Sequence, residues 1–272
     1  MPSAPSSPDA VLLADKPAGV TSHDVVARVR RERGVRRVGH AGTLDPFATG
    51  VLLVLVGRAT RLQRFLLALP KTYEVEARFG AVSSTGDPEG EIVETGRVPD
   101  GDLMLPTGRI RQRPPAYSAI KIGGVRAYAR ARRGEDVDLP EREVEVHGFS
   151  ERWRSEDRRA FSITCSSGTY VRSLVADLGD AYCTSLRRTA IGPFAIEEAG
   201  RELSVEEALG FLPARELRPE EARGVGHGRA VVRDGEPAGP VRLVHEGVVL
   251  AVAEPRDDLL RPLVVLRPGT PG

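Results

Sequence analysis

The stretch that most constrains this chain is Gly39-His40-Ala41-Gly42-Thr43-Leu44-Asp45-Pro46-Phe47-Ala48-Thr49-Gly50, which runs straight into the apolar segment Val51–Val56. Glycines and a proline this dense force a loop, because glycine admits backbone angles closed to other residues. The apolar segment predicts a strand that gives the loop a rigid, buried support. Asp45 stands between Leu44 and Pro46, and Pro46 biases it toward an extended backbone. Spacing alone leaves two readings open. Asp45 is either a carboxylate held against a substrate or a turn aspartate bonding its own backbone. His40 is equally open between a working side chain and polar surface.

Composition narrows the partners less than charge placement does. At 40% apolar and 28% charged residues the 272-residue chain is an ordinary globular protein, long enough for a large domain and a small one. A net charge of +1 does not by itself call for nucleic acid. Lysine occurs only at Lys16, Lys71 and Lys121, so the remaining basic residues are arginines, whose planar fork suits phosphate and base stacking. Cys165 and Cys183 form no disulfide framework, and no spacing matches a zinc site. Residues 1–10 read as a disordered tail without signal-peptide order, and no apolar run reaches the ~20 residues of a membrane helix. A cytoplasmic protein is expected.

Along the chain, Val11–Ala14 predicts a short strand, and Thr21 or Ser22 can cap a helix running to Arg33 and stopping at Gly34. Arg28, Arg30, Arg31, Arg33, Arg36 and Arg37 crowd its end, either as a solvated face or as a phosphate patch. Helical spacing continues over Arg58–Leu69, and Lys71–Gly80 alternates as a strand. Pro99–Pro140 is irregular and basic, with Tyr117 and Tyr128 among its arginines, either a mixture suited to looped RNA or an exposed insertion with solubilising arginines. Strands are predicted at Glu141–Val146 and Ala160–Ser166, then a helix over Tyr170–Tyr182 that Thr169 could cap. That helix would carry Arg172 in its first turn, where a cation either has a compensating anion such as Asp45 or faces water. Ser204–Phe211 reads as a short helix. Short alternating runs at Ala230–Val232, Val241–Val244, Val248–Val252 and Leu263–Leu266 suggest a small β domain.

The loop, together with Asp15-Lys16-Pro17, Gly19-Val20-Thr21-Ser22, Lys71-Thr72-Tyr73, Gln112 with Pro114–Lys121, Cys165–Arg172 and Leu186-Arg187-Arg188, resembles the TruB-type tRNA pseudouridine-55 synthases over roughly Val11–Phe194. The resemblance implies an α+β pseudouridine-synthase fold, with a mixed, mostly antiparallel sheet flanked by helices. It implies a catalytic domain over 11–222 with an RNA-binding insertion at 99–140, and a PUA-like domain over 223–272. It also implies isomerisation of uridine 55 in the tRNA T-loop with no cofactor or metal, on a T-arm stem-loop, by a monomer without protein partners. Asp45 would be the catalytic carboxylate, Arg172 its partner holding its pKa down, and Tyr73 the ring stacking on the extruded uracil. Leu186 would pack beside Tyr73, and His40 would enter the T-loop where the base leaves. Lys16, Lys71, Arg111, Arg113, Lys121 and Arg132 are the other candidate RNA contacts. One departure stands out: the segment between Gly179 and Leu186 is shorter than in relatives, which predicts a shortened loop.

Three other readings are weighed. A two-carboxylate glycosidase would recruit Asp87 or Glu89 as its second acid. A non-catalytic tRNA-binding or folding helper would have no need of Asp45, Tyr73 and Arg172 together. A guide-RNA-dependent relative fits the basic insertion less well.

Overall fold

The computed structural model describes residues 9–267 except 116, 118–120, 128, 129, 131, 132, 136, 138 and 236, with backbone alone at 121, 122 and 126. Tyr128, Arg132, the Lys121 side chain and most of the expected tail therefore lie outside the described residues.

The chain enters as β1 (Ala10–Lys16) and turns into α1 (Ser22–Arg33). Thr21 caps this helix, its hydroxyl accepting from the Asp24 amide while the Asp24 carboxylate accepts from the Thr21 amide at 2.8 Å. Gly34 ends it in the left-handed region. Next come β2 (Val38–His40) and β3 (Thr49–Val56), with the Asp45 loop between them. The apolar run of β3 is unbroken because both faces are covered. Val51, Leu53 and Leu55 pack against Leu13, Leu62 and Leu66, while Leu52, Val54 and Val56 pack on Val25, Val26 and Val29 of α1.

A 3₁₀ stretch at Gly57–Leu62 then leads into α2 (Gln63–Ala68), in place of the single predicted helix. β4 (Lys71–Phe79) alternates as expected, with Tyr73, Val75, Ala77 and Phe79 buried. β5 (Ala81–Ser83) and β6 (Ile92–Glu94) form a hairpin. β7 (Gly108–Gln112) leaves the expected insertion to join the main sheet, and β8 (Lys121–Ile122) and β9 (Val125–Arg126) make a small hairpin. In the long pair β10 (Arg142–Ser155) and β11 (Arg158–Cys165), β10 runs well past the predicted Val146 while β11 nearly matches the predicted strand.

Two expectations fail here. The helix predicted over Tyr170–Tyr182 is only α3 (Val171–Ala176), entered from Tyr170 without a side-chain cap, since the Thr169 hydroxyl bonds back to Ser166 O. The segment expected to be a shortened loop is instead part of β12 (Ala181–Ile191), deep in the sheet between β3 and β4. The helix ends at Ala176 with Asp177 as its cap, and pairing along the whole of β4 outweighs local helical preference further on.

β13 (Phe194–Ala195), β14 (Glu202–Leu203) and α4 (Val205–Ala208) follow. The main sheet runs β14-β1-β3-β12-β4-β11-β10-β7, with β2 beside β3 and β13 beside β12. Its strands pair antiparallel except β3 with β12, so the fold is mixed and mostly antiparallel, as expected. β15 (Ala214–Glu216), α5 (Pro219–Gly226), β16 (Val231–Val232), β17 (Val241–His245), β18 (Val248–Arg256) and β19 (Leu259–Val265) complete the chain. The second sheet runs β15-β17-β18-β19-β16, so it begins ahead of residue 223, and α5 straddles that position. It has its own core of Leu217, Val225, Leu243, Ala251 and Leu260. It also shares the cluster around Leu13 and Leu62 through Val244, Val249, Val252 and Leu266. No helix among the described residues is long and apolar enough to cross a membrane.

Candidate active site

Three buried side chains tie down the Asp45 loop. Ser22, the first residue of α1, accepts from the Leu44 amide at 2.9 Å and donates to the Leu44 carbonyl at 3.2 Å. Lys16, fully buried, donates from Nζ to the carbonyls of Pro17, Val20 and Pro46. Arg188 on β12, 1% exposed, donates to the carbonyls of Val51, Gly42 and Thr43. Loop carbonyls withdrawn from water must be satisfied by protein donors, and these cations supply them from beneath. Lys16 is thus a clamp inside the fold and not the RNA contact expected of it. Burial accounts for the lowering of its pKa.

Asp45 is held at the mouth of a cavity of about 290 Å³. Its side chain is 35% exposed, and its Oδ2 lies 2.9 Å from Nε of Arg172, whose own side chain is only 4% exposed. The expected pair is therefore present. The guanidinium has further partners that the sequence reading did not connect to it. Nη1 donates to Asp87 Oδ2 at 3.0 Å and to the Thr85 carbonyl, and Nη2 donates to the Tyr117 carbonyl at 3.0 Å. Two carboxylates thus compensate the cation in the first turn of α3. That turn is itself held by Gln112, whose amide donates to Tyr170 O and accepts from Tyr170 N at 2.7 Å.

Asp87 is buried against Arg172 and does not line the cavity, where Asp45 is the one carboxylate among the described residues. Glu89 is exposed on the turn beyond it. The two-acid arrangement of a glycosidase is accordingly not formed. The sequence signal for Asp87 was a turn motif, Thr85-Gly86-Asp87-Pro88-Glu89-Gly90, which says nothing about a partner distant in the chain.

Burial raises the Asp45 carboxyl above the ordinary carboxylate range; Arg172 opposes this and Asp87 adds to it. Arg172 pulls the carboxyl down as expected, and burial outweighs it. Tyr73, nearly buried on β4, and Leu186 on β12 line the same cavity and belong to one apolar cluster. Burial raises the Tyr73 hydroxyl pKa as well. Lys71 and Arg188 form another part of the wall. Lys71 Nζ donates to the Leu67 and Leu69 carbonyls, and burial lowers its pKa to about 8. Like Lys16, it is buried rather than presented outward for RNA. Arg142, stacked 4.6 Å over the Tyr170 ring and bonded to Gly168 O, closes the rim.

The cavity thus combines an apolar wall of Tyr73 and Leu186 with a single carboxylate, Asp45, among the described residues. His40 ends β2 outside this cavity, its carbonyl accepting from Gln63 Nε2 at 2.8 Å and its ring meeting His23 edge-on at 5.3 Å. Arg111 and Arg113 are exposed around the end of β7.

Residues 30–171 match the N-terminal domain of the TruB family pseudouridylate synthases. The chain belongs to that family. It is 47% identical to a tRNA pseudouridine synthase B of Thermobifida fusca, with 94% of this chain and 98% of the relative covered. A protein of the same name from Mycobacterium bovis is 39% identical, with 96% of each chain covered. Among solved structures, a Cbf5-Nop10-Gar1 complex contains a chain of the same fold, at TM-score 0.69 and 24% identity, covering 95% of this chain and 85% of that one. As a TruB-family pseudouridylate synthase the protein is an isomerase. The glycosidase reading falls on this membership as well as on the placement of Asp87.

Proposed function

We propose that this enzyme converts uridine 55 in the T-loop of tRNA to pseudouridine, with Asp45 as the catalytic carboxylate. The observation that carries the reading is the Asp45–Arg172 ion pair at the mouth of a cavity walled by Tyr73 and Leu186. The near relatives named for tRNA support the substrate class. The reaction breaks the N1–C1′ bond, turns the uracil, and joins C5 to C1′; the C5 proton is lost and N1 regains one. Nothing is oxidised or reduced, so the chemistry calls for no redox cofactor.

In this reading the target base leaves its stack, at a cost of a few kcal/mol, and lies against Tyr73 with Leu186 at its edge. Asp45 then acts at the sugar or the ring, kept ionised and oriented by Arg172. His40, outside the cavity, would fill the space that the base leaves in the T-loop. The exposed Arg111 and Arg113 would meet the phosphates of the arm, together with the 99–140 segment. The β15–β19 unit would serve as a PUA-like second RNA surface. The enzyme would work as a cytoplasmic monomer.

The test is tritium release from a T-arm stem-loop carrying 5-tritiated uridine, since isomerisation must remove the C5 hydrogen. Asp45→Asn keeps the shape of the side chain and removes its ability to act as nucleophile or base. Release should vanish while RNA affinity stays near wild type. Substantial release by Asp45→Asn would overturn the catalytic assignment. Absence of release by the wild-type protein would instead favour the non-catalytic tRNA-folding helper.

A further inference from the structure

The turn between β5 and β6 is built around Asp87. Ser83 Oγ donates to the Asp87 carbonyl at 2.6 Å, and Thr85 Oγ1 donates to Asp87 Oδ1 at 2.6 Å. The Glu89 amide donates to the same Oδ1 at 3.1 Å. These bonds occupy one carboxylate oxygen and leave Oδ2 to face Arg172. The carbonyl of Thr85 is the other acceptor of the same Arg172 Nη1. Both acceptors that orient this end of the guanidinium are therefore set by the turn.

The turn is itself fixed at two points. Gly86 O accepts from the Cys183 amide at 3.1 Å, which pins it to β12. At Gly90 an added Cβ would lie 2.4 Å from Thr85 Oγ1 and 2.5 Å from Ser83 Oγ, so the two hydroxyls fill the space the missing side chain leaves. An exposed turn that only reverses the chain would not need a buried carboxylate bonded on both oxygens.

We propose that Thr85 is a positioning residue for the isomerisation: its hydroxyl orients Asp87, Asp87 orients Arg172, and Arg172 aims the carboxylate of Asp45. The inference rests on the reading of Asp45 as the catalytic group. Thr85→Val removes the hydroxyl with little change of shape. It should slow single-turnover isomerisation of a T-arm stem-loop about ten- to a hundredfold, the worth of a hydrogen bond to a charged group. RNA affinity should be unchanged, and Thr85→Ser, which keeps the hydroxyl, should restore turnover.

If Thr85 acts through Asp87, adding Thr85→Val to an Asp87→Asn enzyme should cost little further rate. Wild-type turnover in Thr85→Val, loss of affinity in step with rate, or additive losses in the double variant would each overturn the proposal. So would a Thr85→Ser enzyme as slow as Thr85→Val, because the hydroxyl would then not be the group that matters. The Asp45→Asn control separates the two levels: activity in that variant sinks the catalytic reading, whatever Thr85 does.

Discussion

Arg172 divides one guanidinium between two carboxylates and two carbonyls, and each nitrogen has its own partner. A lysine at this position presents a compact point charge and cannot span that set. Arg172→Lys should therefore lose most turnover, as should Arg172→Ala. The pH profile carries the sharper expectation. Burial already holds the Asp45 carboxyl above its usual range, with Arg172 as the opposing influence. Removing the cation leaves burial and Asp87 unopposed, so the Asp45 pKa rises further and the acid limb of the rate profile moves to higher pH. Single-turnover rates of wild type and both variants from about pH 5 to 8 cover where a raised carboxylate titrates. A solvent-facing arginine would give normal rates and an unmoved limb, and wild-type rates in Arg172→Lys would sink the pairing.

Among the elements, β3 and β12 matter most, because their parallel contact brings the Asp45 loop and the Leu186-Arg187-Arg188 segment together. The contact is narrow, joining Arg187 to Thr49 and Arg188 to Gly50. Gly50 has φ +106°, and a Cβ there would fall 2.1 Å from the Arg188 carbonyl oxygen. Backbone against backbone cannot give way as a flexible side chain would. Gly50→Ala should push the strands apart and move Arg188 off the carbonyls it holds. The left-handed φ alone costs on the order of 1–3 kcal/mol, and the clash adds to it. Urea unfolding should show a loss of about 3 kcal/mol or more, within the range of the severe single substitutions. Wild-type stability in Gly50→Ala would mean that the close approach of the strands is not needed.

For the whole molecule, a net charge of +1 conceals strong local separation. Cations line the cavity at Lys71, Arg142, Arg172 and Arg188, and exposed arginines follow β7. Attraction to a phosphate backbone depends on such local charge and is screened within about 10 Å at 0.1 M salt. Replacing Arg111 and Arg113 with glutamine should weaken tRNA binding and flatten its salt dependence. For every phosphate that is no longer neutralised, the slope of log K against log salt should change by about 0.7–0.9. Titrations at several salt concentrations measure this directly, and an unchanged slope would mark these arginines as surface charge alone.

The sequence by itself determined what depends on neighbours along the chain. A cap at Thr21 or Ser22, the Gly34 stop, the apolar run of β3 and the alternation of β4 were all legible, because short-range periodicity and turn chemistry govern them. Family motifs brought Asp45, Tyr73, Arg172 and Leu186 forward together, and the fold places all four around one cavity. Only the tertiary structure decided the rest. Ala181–Ile191 became a strand because β4 and β3 offered it partners, against a helical pattern that ran into it. Lys16 and Lys71 turned inward because buried carbonyls needed donors, which the positions of basic residues along the chain cannot reveal. Asp87 reads as a turn residue until β5, β6 and α3 meet, and the raised pKa of Asp45 follows from its burial in the packed chain. Burial and long-range pairing are properties of the packed chain, so their consequences became visible only there.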